Sequence, residues 1–600
     1  MNTISGVYPR SLKGSGNPVL YEVSCTDIKV WAESESETPF IHARALADQV
    51  EVCFVGYLEG LGSSAQKSAE VLLADYLAEG CSAFSGKFGS FVALVIDRRN
   101  DSYFLLCDSS NQRRWYYYHH ENCFVFSTKL KQCASLLPGK ADLQQDNSFF
   151  WVYGFYPYNQ TAYKDIYSLS GNKYAVFSKG KLSIKDKKHW IAPDVSAIES
   201  EKTAVDVLEA LLLKSIEQNA GVSSKVGVLL GGFDSALVAS LLKRCGREVE
   251  TFSFYYDEVR YNQAHTDTLA EYLGIKHHWV KIDAEVIKTG LQNYADTFDQ
   301  PTNWPNYLIQ TEFLARHIKK QGVDVCVTGD GCDNLFYGYP GVFKNAKLYS
   351  RLGNVPRPLL NIAEFCLRGS FQERWIGHPY RLALRLLRNM GKALPARAYL
   401  MFRIFDELTV THLFGKDLAQ VKADVKRVED DICKDLPDKS AAWLAYQGKA
   451  AISPNRAKLV GSSDSADLAL FSPYMDRQVK AFVASLPENL LRPTGATQDI
   501  GKYILTKMAE EKGYLPAEVI YQPKLAAVDA PIDDWYRAEL KPITKEIITS
   551  GLVNISPSGV DALLQETLFE KIYKKYFDTA DNLTTHVLSL LVTQSAYRLK

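Results

Sequence analysis

At 600 residues, with 46% hydrophobic and 23% charged side chains, the chain exceeds what one core usually supports and is ordinary in composition for a globular protein. Lys+Arg and Asp+Glu balance at 69 each, so charge points to neither a nucleic-acid binder nor a binder of acidic surfaces. Eleven cysteines lack C-x-x-C pairs and His clusters, no apolar run approaches membrane-spanning length, and the start has no basic-then-apolar signal pattern. Two or more domains in a reduced cytoplasm are expected, with no zinc site or disulfide framework.

From Met1 to about Pro193 the pattern is mostly β. Short strands are expected at Phe91–Asp97, Tyr103–Asp108, Trp115–His120 and Cys123–Ser127, separated by polar turns as in an antiparallel sheet. A linker follows around Ala192–Ala197, then a helical pattern to Ala220.

Next comes V-G-V-L-L-G-G-F-D-S-A-L, Val226 to Leu237. Val226–Leu230 suits a buried parallel strand, and Ser235 to about Arg244 suits a helix. Gly231 and Gly232 let the backbone turn and bring its N–H groups close to a ligand. Ser235 falls at the helix N-terminus, where free N–H groups and the helix dipole favour an anion such as phosphate. An acid in such a site calls for a cation, so Asp234 suggests Mg²⁺. The spacing is neither a Walker loop nor G-x-G-x-x-G, and a plain strand-to-helix turn capped by Asp or Ser also fits it.

Strand Val249–Tyr256, helix Tyr261–Leu273, strand His277–Ile282, helix Tyr307–Lys320 and strand Val323–Thr328 continue the alternation of a parallel, doubly wound sheet. Ligands bind outside the carboxyl ends of such strands. The loop at Gly231 and the segment T-G-D-G-C-D-N-L-F, Thr328–Phe336, should therefore face one crevice, bringing Asp330 and Asp333 with them. Pro340 to Ser440, including the Arg- and Leu-rich Arg381–Arg388, reads as helices packing or capping this domain, or holding a peptide.

Together these motifs resemble the asparagine-synthetase family and its relatives, the β-lactam synthetases and lasso-peptide cyclases. The family's S-G-G-x-D-S loop is similar to Leu230–Ser235, with Leu230 in place of the first serine, and its G-[DE]-G-x-D-E-L-F-x-G-Y is similar to Gly329–Tyr339, with Asn334 in place of Glu. Asp499–Ala509 resembles K-x-x-L-R-x-A and supplies Lys502, while Tyr521–Arg537 resembles R-P-K-x-G-F-x-x-P-[IL]-x-x-W-[LF]-R more loosely and supplies Lys524. The resemblance implies an α/β protein. Residues 1–193 would form an N-terminal αββα sandwich of the N-terminal-nucleophile type, and residues 200–600 a doubly wound parallel-sheet ATP-pyrophosphatase domain with extra helices. It further implies ATP held by Leu230, Gly231, Gly232, Asp234, Ser235, Ser253 and Gly329, and Mg²⁺ on Asp234 and Asp333. Lys502 and Lys524 would stabilise developing negative charge, and Asp330 would accept a proton from an attacking amine. At the Asp330 position asparagine synthetases carry an acid and β-lactam synthetases a tyrosine. A homodimer is left open.

The glutaminase half departs from the family. Its opening M-C-G-I-x-G-V-Y is similar to M-N-T-I-S-G-V-Y here, which puts Asn2 at the nucleophile, and its N-G-E is similar to Val55-Gly56-Tyr57. A carboxamide cannot attack as a thiolate does, and one lost oxyanion donor alone typically costs about 10²–10³ in rate. The internal Cys25, Cys53, Cys81, Cys107 and Cys123 have no terminal amine to serve as base. The expected function is thus ATP-dependent adenylation of a carboxylate and its transfer to an amine, without glutaminase activity. The favoured form is an intramolecular cyclisation of lasso-peptide or β-lactam type in antibiotic biosynthesis, on a small molecule or short peptide. Ammonia-dependent amidation and, on account of Leu230, Asn334 and Asn262, a catalytically silent scaffold stand as alternatives.

Overall fold

The computed structural model describes residues 3–8, 21–24, 28–33, 41–188, 200–351 and 394–551, with short breaks at 110–111, 122, 145–146, 158, 222–224, 258–262, 405–406, 494–500 and 522–530, and a few isolated positions besides. The expected linker at Ala192–Ala197 and the stretch Arg381–Arg388 lie outside the described residues.

Period-two alternation builds the first part. In the strand Gly89–Asp97, Val92, Leu94 and Ile96 point to one interior, while Phe91, Ala93 and Val95 point to another, shared with Leu72 and Tyr76 of the helix Ala65–Glu79. The same division recurs in the other sheet. Phe124 and Phe126 face inward, and Val125 turns outward to the short helices Leu130–Ser135 and Ser148–Tyr153. Each sheet has six antiparallel strands among the described residues. Phe124 and Phe177, one from each sheet, stack at 4.6 Å between ring centroids. The layers run helix, sheet, sheet, helix, which is the αββα sandwich the sequence led us to expect.

Among the described residues, the second part is a five-stranded parallel sheet. Its strands stand side by side in the order Lys276–Lys281, Glu248–Tyr255, Lys225–Leu229, Val325–Val327, Ala469–Phe471. The first three in the chain are laid down in one direction across the sheet, and the last two on the other side of Lys225–Leu229. The direction of winding therefore reverses between Lys225–Leu229 and Val325–Val327. Ligands of such sheets bind outside the carboxyl ends of the strands at this reversal, which puts the loops leaving those two strands at the candidate site. The four strands expected from the sequence are present to within three residues at each end; the fifth, three residues long, is an addition.

Helices Pro340–Arg351, Leu394–Tyr399, Glu407–Phe414, Leu418–Cys433 and Ala441–Ile452 pack on one another, in keeping with the helical reading of that region, and Glu407–Phe414 and Leu418–Cys433 also lie against the sandwich's helix Ser148–Tyr153. Close approach sets their packing: a Cβ at Gly448 would fall 1.8 Å from the carbonyl oxygen of Tyr399. Among the described residues, no helix is long and apolar enough to cross a membrane.

Candidate active site

The site forms where the winding reverses. Lys225–Leu229 ends in the loop Leu230–Gly232, and the helix Phe233–Arg244 starts immediately after it. The Ser235 hydroxyl folds back and accepts the N–H groups of Gly231 at 2.9 Å and Gly232 at 3.3 Å. A Cβ on either glycine would meet nothing within 4 Å, so the outer side of this loop is open. These are two backbone donors presented at a helix N-terminus, with a hydroxyl standing where an anion's oxygen could accept them.

Leu230 takes a different place from the rest of the loop. Its side chain is 5% exposed and belongs to the apolar core. Its N–H donates to Phe252 O at 2.9 Å, and its carbonyl accepts from Ser253 Oγ at 2.5 Å. Leu230 and Ser253 thus tie two strands together beneath the loop.

The neighbouring strand Val325–Val327 delivers Gly329, Asp330 and Asp333. Gly329 is small because the two loops touch: a Cβ there would lie 2.9 Å from Asp234 Cβ and 3.0 Å from Ser235 N. The contact brings the carboxylates of Asp234 and Asp333 onto a single cation, the ammonium of Lys502, at 2.5 and 2.8 Å. Lys502 has a left-handed backbone, φ 63°, at the start of the helix Tyr503–Glu511, and its N–H is fixed by Phe336 O at 2.8 Å. Burial opposes its charge, but Asp234 foremost, then Cys332 and Asp333, outweigh burial and hold it well above the usual lysine range. Tyr474 closes the group by donating its hydroxyl to Asp234 O at 3.0 Å.

Asp330 is held by a different set of partners. Its Oδ1 accepts from Tyr307 Oη at 3.0 Å and from Lys458 Nζ at 2.6 Å, and Ser472 Oγ donates to its backbone oxygen at 2.6 Å. Tyr307, Lys458, Ser472 and Tyr474 escaped the sequence reading. Each is a lone polar residue in an unremarkable helix or turn, and only the fold assembles them. Asn334 keeps a buried Oδ1 with no hydrogen-bond partner among the described residues. Lys524, Asn2 and Asn262 lie outside the described residues.

Lys502 acts as a stand-in ion that tests the fit of a metal. Two acidic oxygens already converge on one positive charge, which is the donor chemistry a hard cation takes. Among the described residues, no three His, Cys, Asp or Glu side chains are grouped to hold a metal unaided. A nucleotide-bound Mg²⁺ is commonly held by one or two carboxylates together with phosphate oxygens.

In the sandwich, Tyr57 is buried beside Arg113 and contributes no acid. Cys53 and Cys107 are fully enclosed, and burial pushes the Cys107 thiol up to about 11.

A doubly wound sheet with a glycine turn and paired carboxylates at its switch point defines the class: an α/β domain built for a ligand at that point. Residues 207–598 match the family described as Asparagine synthase, more than half of the chain, and the chain belongs to that family. Similar proteins include Asparagine synthetase [glutamine-hydrolyzing] 1 of Bacillus subtilis (strain 168), 24% identical over 404 residues, which are 64% of this chain and 57% of that protein. A Probable asparagine synthetase [glutamine-hydrolyzing] of Dictyostelium discoideum is 28% identical over 181 residues, 26% of this chain and 30% of that one. The chain thus spans 57% of the length of the first relative and 30% of the second. Among solved structures, NMN synthetase from Francisella tularensis has a TM-score of 0.18 at 21% identity, covering 24% of this chain and 60% of its own. Glutamine phosphoribosylpyrophosphate amidotransferase from B. subtilis has a TM-score of 0.20 at 9% identity, covering 54% and 75%. At such scores neither structure bears on the function.

Proposed function

We propose that this chain is an ATP-dependent ligase that joins a carboxylate to an amine. The supporting observation is the convergence of Asp234 and Asp333, from two loops of adjacent strands, on one cation position beside the glycine turn whose N–H groups donate to Ser235 Oγ and whose outer side is open. In this reading the loop holds the pyrophosphate portion of ATP, Asp234 and Asp333 hold Mg²⁺, and Lys502 moves onto phosphate oxygens. A bound Mg²⁺ would neutralise phosphate charge. A substrate carboxylate oxygen attacks the α-phosphorus, the α–β anhydride bond breaks, and pyrophosphate leaves. The amine nitrogen then attacks the acyl carbon of the adenylate, AMP departs with the C–O electron pair, and the nitrogen gives up a proton. Lys524 is assigned to oxyanion charge by its motif alone.

Glutaminase activity is absent in this reading. Asn2 offers no nucleophile, Tyr57 replaces an acid, and the enclosed Cys53 and Cys107 do not substitute. The nitrogen is then an amine carried by the substrate, closing a ring of lactam or macrolactam type. Free ammonia is the second reading, favoured by an acid rather than a tyrosine at Asp330.

The test is release of pyrophosphate and AMP by the full chain with Mg²⁺-ATP. The probes are aspartate with ammonium, aspartate with glutamine, and 5-aminovalerate, whose own amine can close on its carboxylate. Release with 5-aminovalerate supports cyclisation, and release with ammonium supports the ammonia reading. Turnover with glutamine as sole nitrogen source would refute the loss of the glutaminase. No release with any probe, together with no binding of Mg²⁺-ATP, would leave the silent scaffold.

A further inference from the structure

Lys458 has no part in the reaction as described so far, and its surroundings are unusual for a lysine. It is 3% exposed, on the helix Asn455–Ala466. Its ammonium lies 2.6 Å from Asp330 Oδ1, 2.6 Å from Tyr307 Oη and 4.1 Å from the centroid of the Tyr307 ring. Tyr307 in turn donates to the same Asp330 oxygen at 3.0 Å. Removing such a charge from water is costly unless it is paired and hydrogen-bonded. Burial lowers the lysine's hold on its proton, and Asp330 works against that loss. The three groups close a ring whose formal charges cancel.

The ring treats the two oxygens of Asp330 differently. Oδ1 carries both donors, while Oδ2 is buried and has no hydrogen-bond partner among the described residues. A buried acceptor left unpaired is costly, so its persistence calls for a role. Its place suggests one. Asp330 follows Gly329, which touches Asp234, and stands three residues before Asp333. Asp330 therefore stands in the same loop that delivers Asp333 to Lys502.

Resting on the ligase reading above, we infer that Lys458, together with Tyr307, is the positioning residue of the amide-forming half-reaction: it pins Asp330 through Oδ1 and leaves Oδ2 to take the proton that the attacking amine loses. The N–C bond forms, the C–O bond to AMP breaks with its electron pair on AMP, and the N–H proton passes to Asp330 Oδ2 before reaching solvent. Lys458 keeps its own proton throughout and touches no reacting atom.

Such an arrangement separates the two half-reactions. Adenylation needs no proton acceptor, whereas amide formation does. The experiment measures, in the full chain and in Lys458→Met, Lys458→Arg and Tyr307→Phe, exchange of labelled pyrophosphate into ATP and amide formation. The probes are aspartate with ammonium and 5-aminovalerate. In Lys458→Met, exchange is expected within about threefold of the unaltered chain and amide formation down by about 10²–10⁴, the usual contribution of a placed acid or base. The residual amide rate should rise about tenfold per pH unit as hydroxide takes over the proton. Lys458→Arg, keeping the charge, should recover at least tenfold over Lys458→Met. Equal loss of both half-reactions, an unchanged amide rate, or no advantage of Arg over Met overturns the role. If Lys458→Met does not fold, the smaller Tyr307→Phe change decides, with a selective loss of amide formation expected. An unaltered chain that shows no exchange on either probe and does not bind Mg²⁺-ATP overturns the ligase reading, and the role of Lys458 falls with it.

Discussion

Lys502 sits where a metal would be expected, and that gives the residue two opposed effects. Its ammonium bridges Asp234 and Asp333 and so competes with a divalent ion for both. In the proposed ligase, bound nucleotide would turn the same charge toward phosphate. Lys502→Ala is therefore expected to bind Mn²⁺ about tenfold more tightly than the unaltered chain without nucleotide, and Mg²⁺-ATP about tenfold more weakly. A charge-assisted hydrogen bond in either setting is of roughly that size. Isothermal titration with and without ATP checks the reversal of sign; a loss of affinity in both settings would mean that Lys502 supports only the fold. Leu230 belongs to the same scale. Its replacement of a hydroxyl residue removes nothing from the loop's backbone donors, because its side chain faces the core. Leu230→Ser should bury an unneeded hydroxyl and lower stability by about 1–3 kcal/mol, the range for an unpaired polar group, as read by urea unfolding.

Between elements, contact distance governs. The turn after the helix Cys332–Leu335 passes so near the site that a Cβ at Gly338 would lie 2.2 Å from Asp333 Oδ1 and 2.5 Å from Lys502 Cε. Gly338→Ala must push one of them aside. It is expected to cost about 1–3 kcal/mol of stability, the usual range for overpacking, and to weaken Mg²⁺-ATP binding severalfold. Stability with unchanged nucleotide affinity would show that the turn yields without moving the carboxylates. The sequence made this part of the molecule readable because its elements have strong periods. Val226–Leu230 is a pure apolar run, Phe91–Asp97 packs both of its faces, and the two glycine loops fall directly after strands. It was silent on Ala469–Phe471, where three apolar residues between a helix and a proline carry no period. It was equally silent on Lys458 and Tyr307, which meet only because the helices Asn455–Ala466 and Pro305–Lys320 lie against each other. A lysine in a helix is usually solvated, and nothing in N-R-A-K-L-V says that this one is enclosed.

For the whole molecule, the joint between the sandwich and the parallel-sheet domain combines apolar packing, as of Trp151 on Phe414, with a charged and buried cluster. Asp464, 4% exposed, pairs with Arg113 and with Lys129 Nζ at 2.9 Å, and Arg113 also donates to Ser463 Oγ at 3.0 Å. Burial would raise the Asp464 carboxyl, but Arg113 and Lys129 outweigh it and hold the group below its ordinary range. Its folded form releases the proton more readily than its unfolded form, so its contribution to stability is present above about pH 4 and is lost as pH falls through the folded value. Asp464→Asn leaves two enclosed cations short of a partner. It should cost about 3–5 kcal/mol at neutral pH and flatten the acid end of the stability curve. His42, buried nearby, is lowered to about 4 by burial, with Asp464 acting in the opposite sense. Its stability contribution is full above about 6.5 and disappears as pH falls toward 4, because the unfolded chain takes up the proton first. His42→Leu should therefore flatten the slope between those values, and urea midpoints from pH 7.5 to 3.5 check both variants. An unchanged slope in His42→Leu would exclude that histidine from acid sensitivity.

Helix Asn455–Ala466 carries this joint and the Lys458 ring at once. At 3.6 residues per turn, Arg456, Val460 and Asp464 lie on one face, beside Arg113 and Arg114 of the sandwich, and Lys458 lies on the opposite face against Asp330. A lineage can therefore discard the sandwich's chemistry far more easily than its shape. Drift at Arg113 or Lys129 leaves the buried Asp464 of this helix short of a partner cation. The same constraint binds anyone rebuilding the protein. A swapped-in sandwich from a relative must bring the matching cations for Asp464 as well as the apolar side chains that meet Phe414.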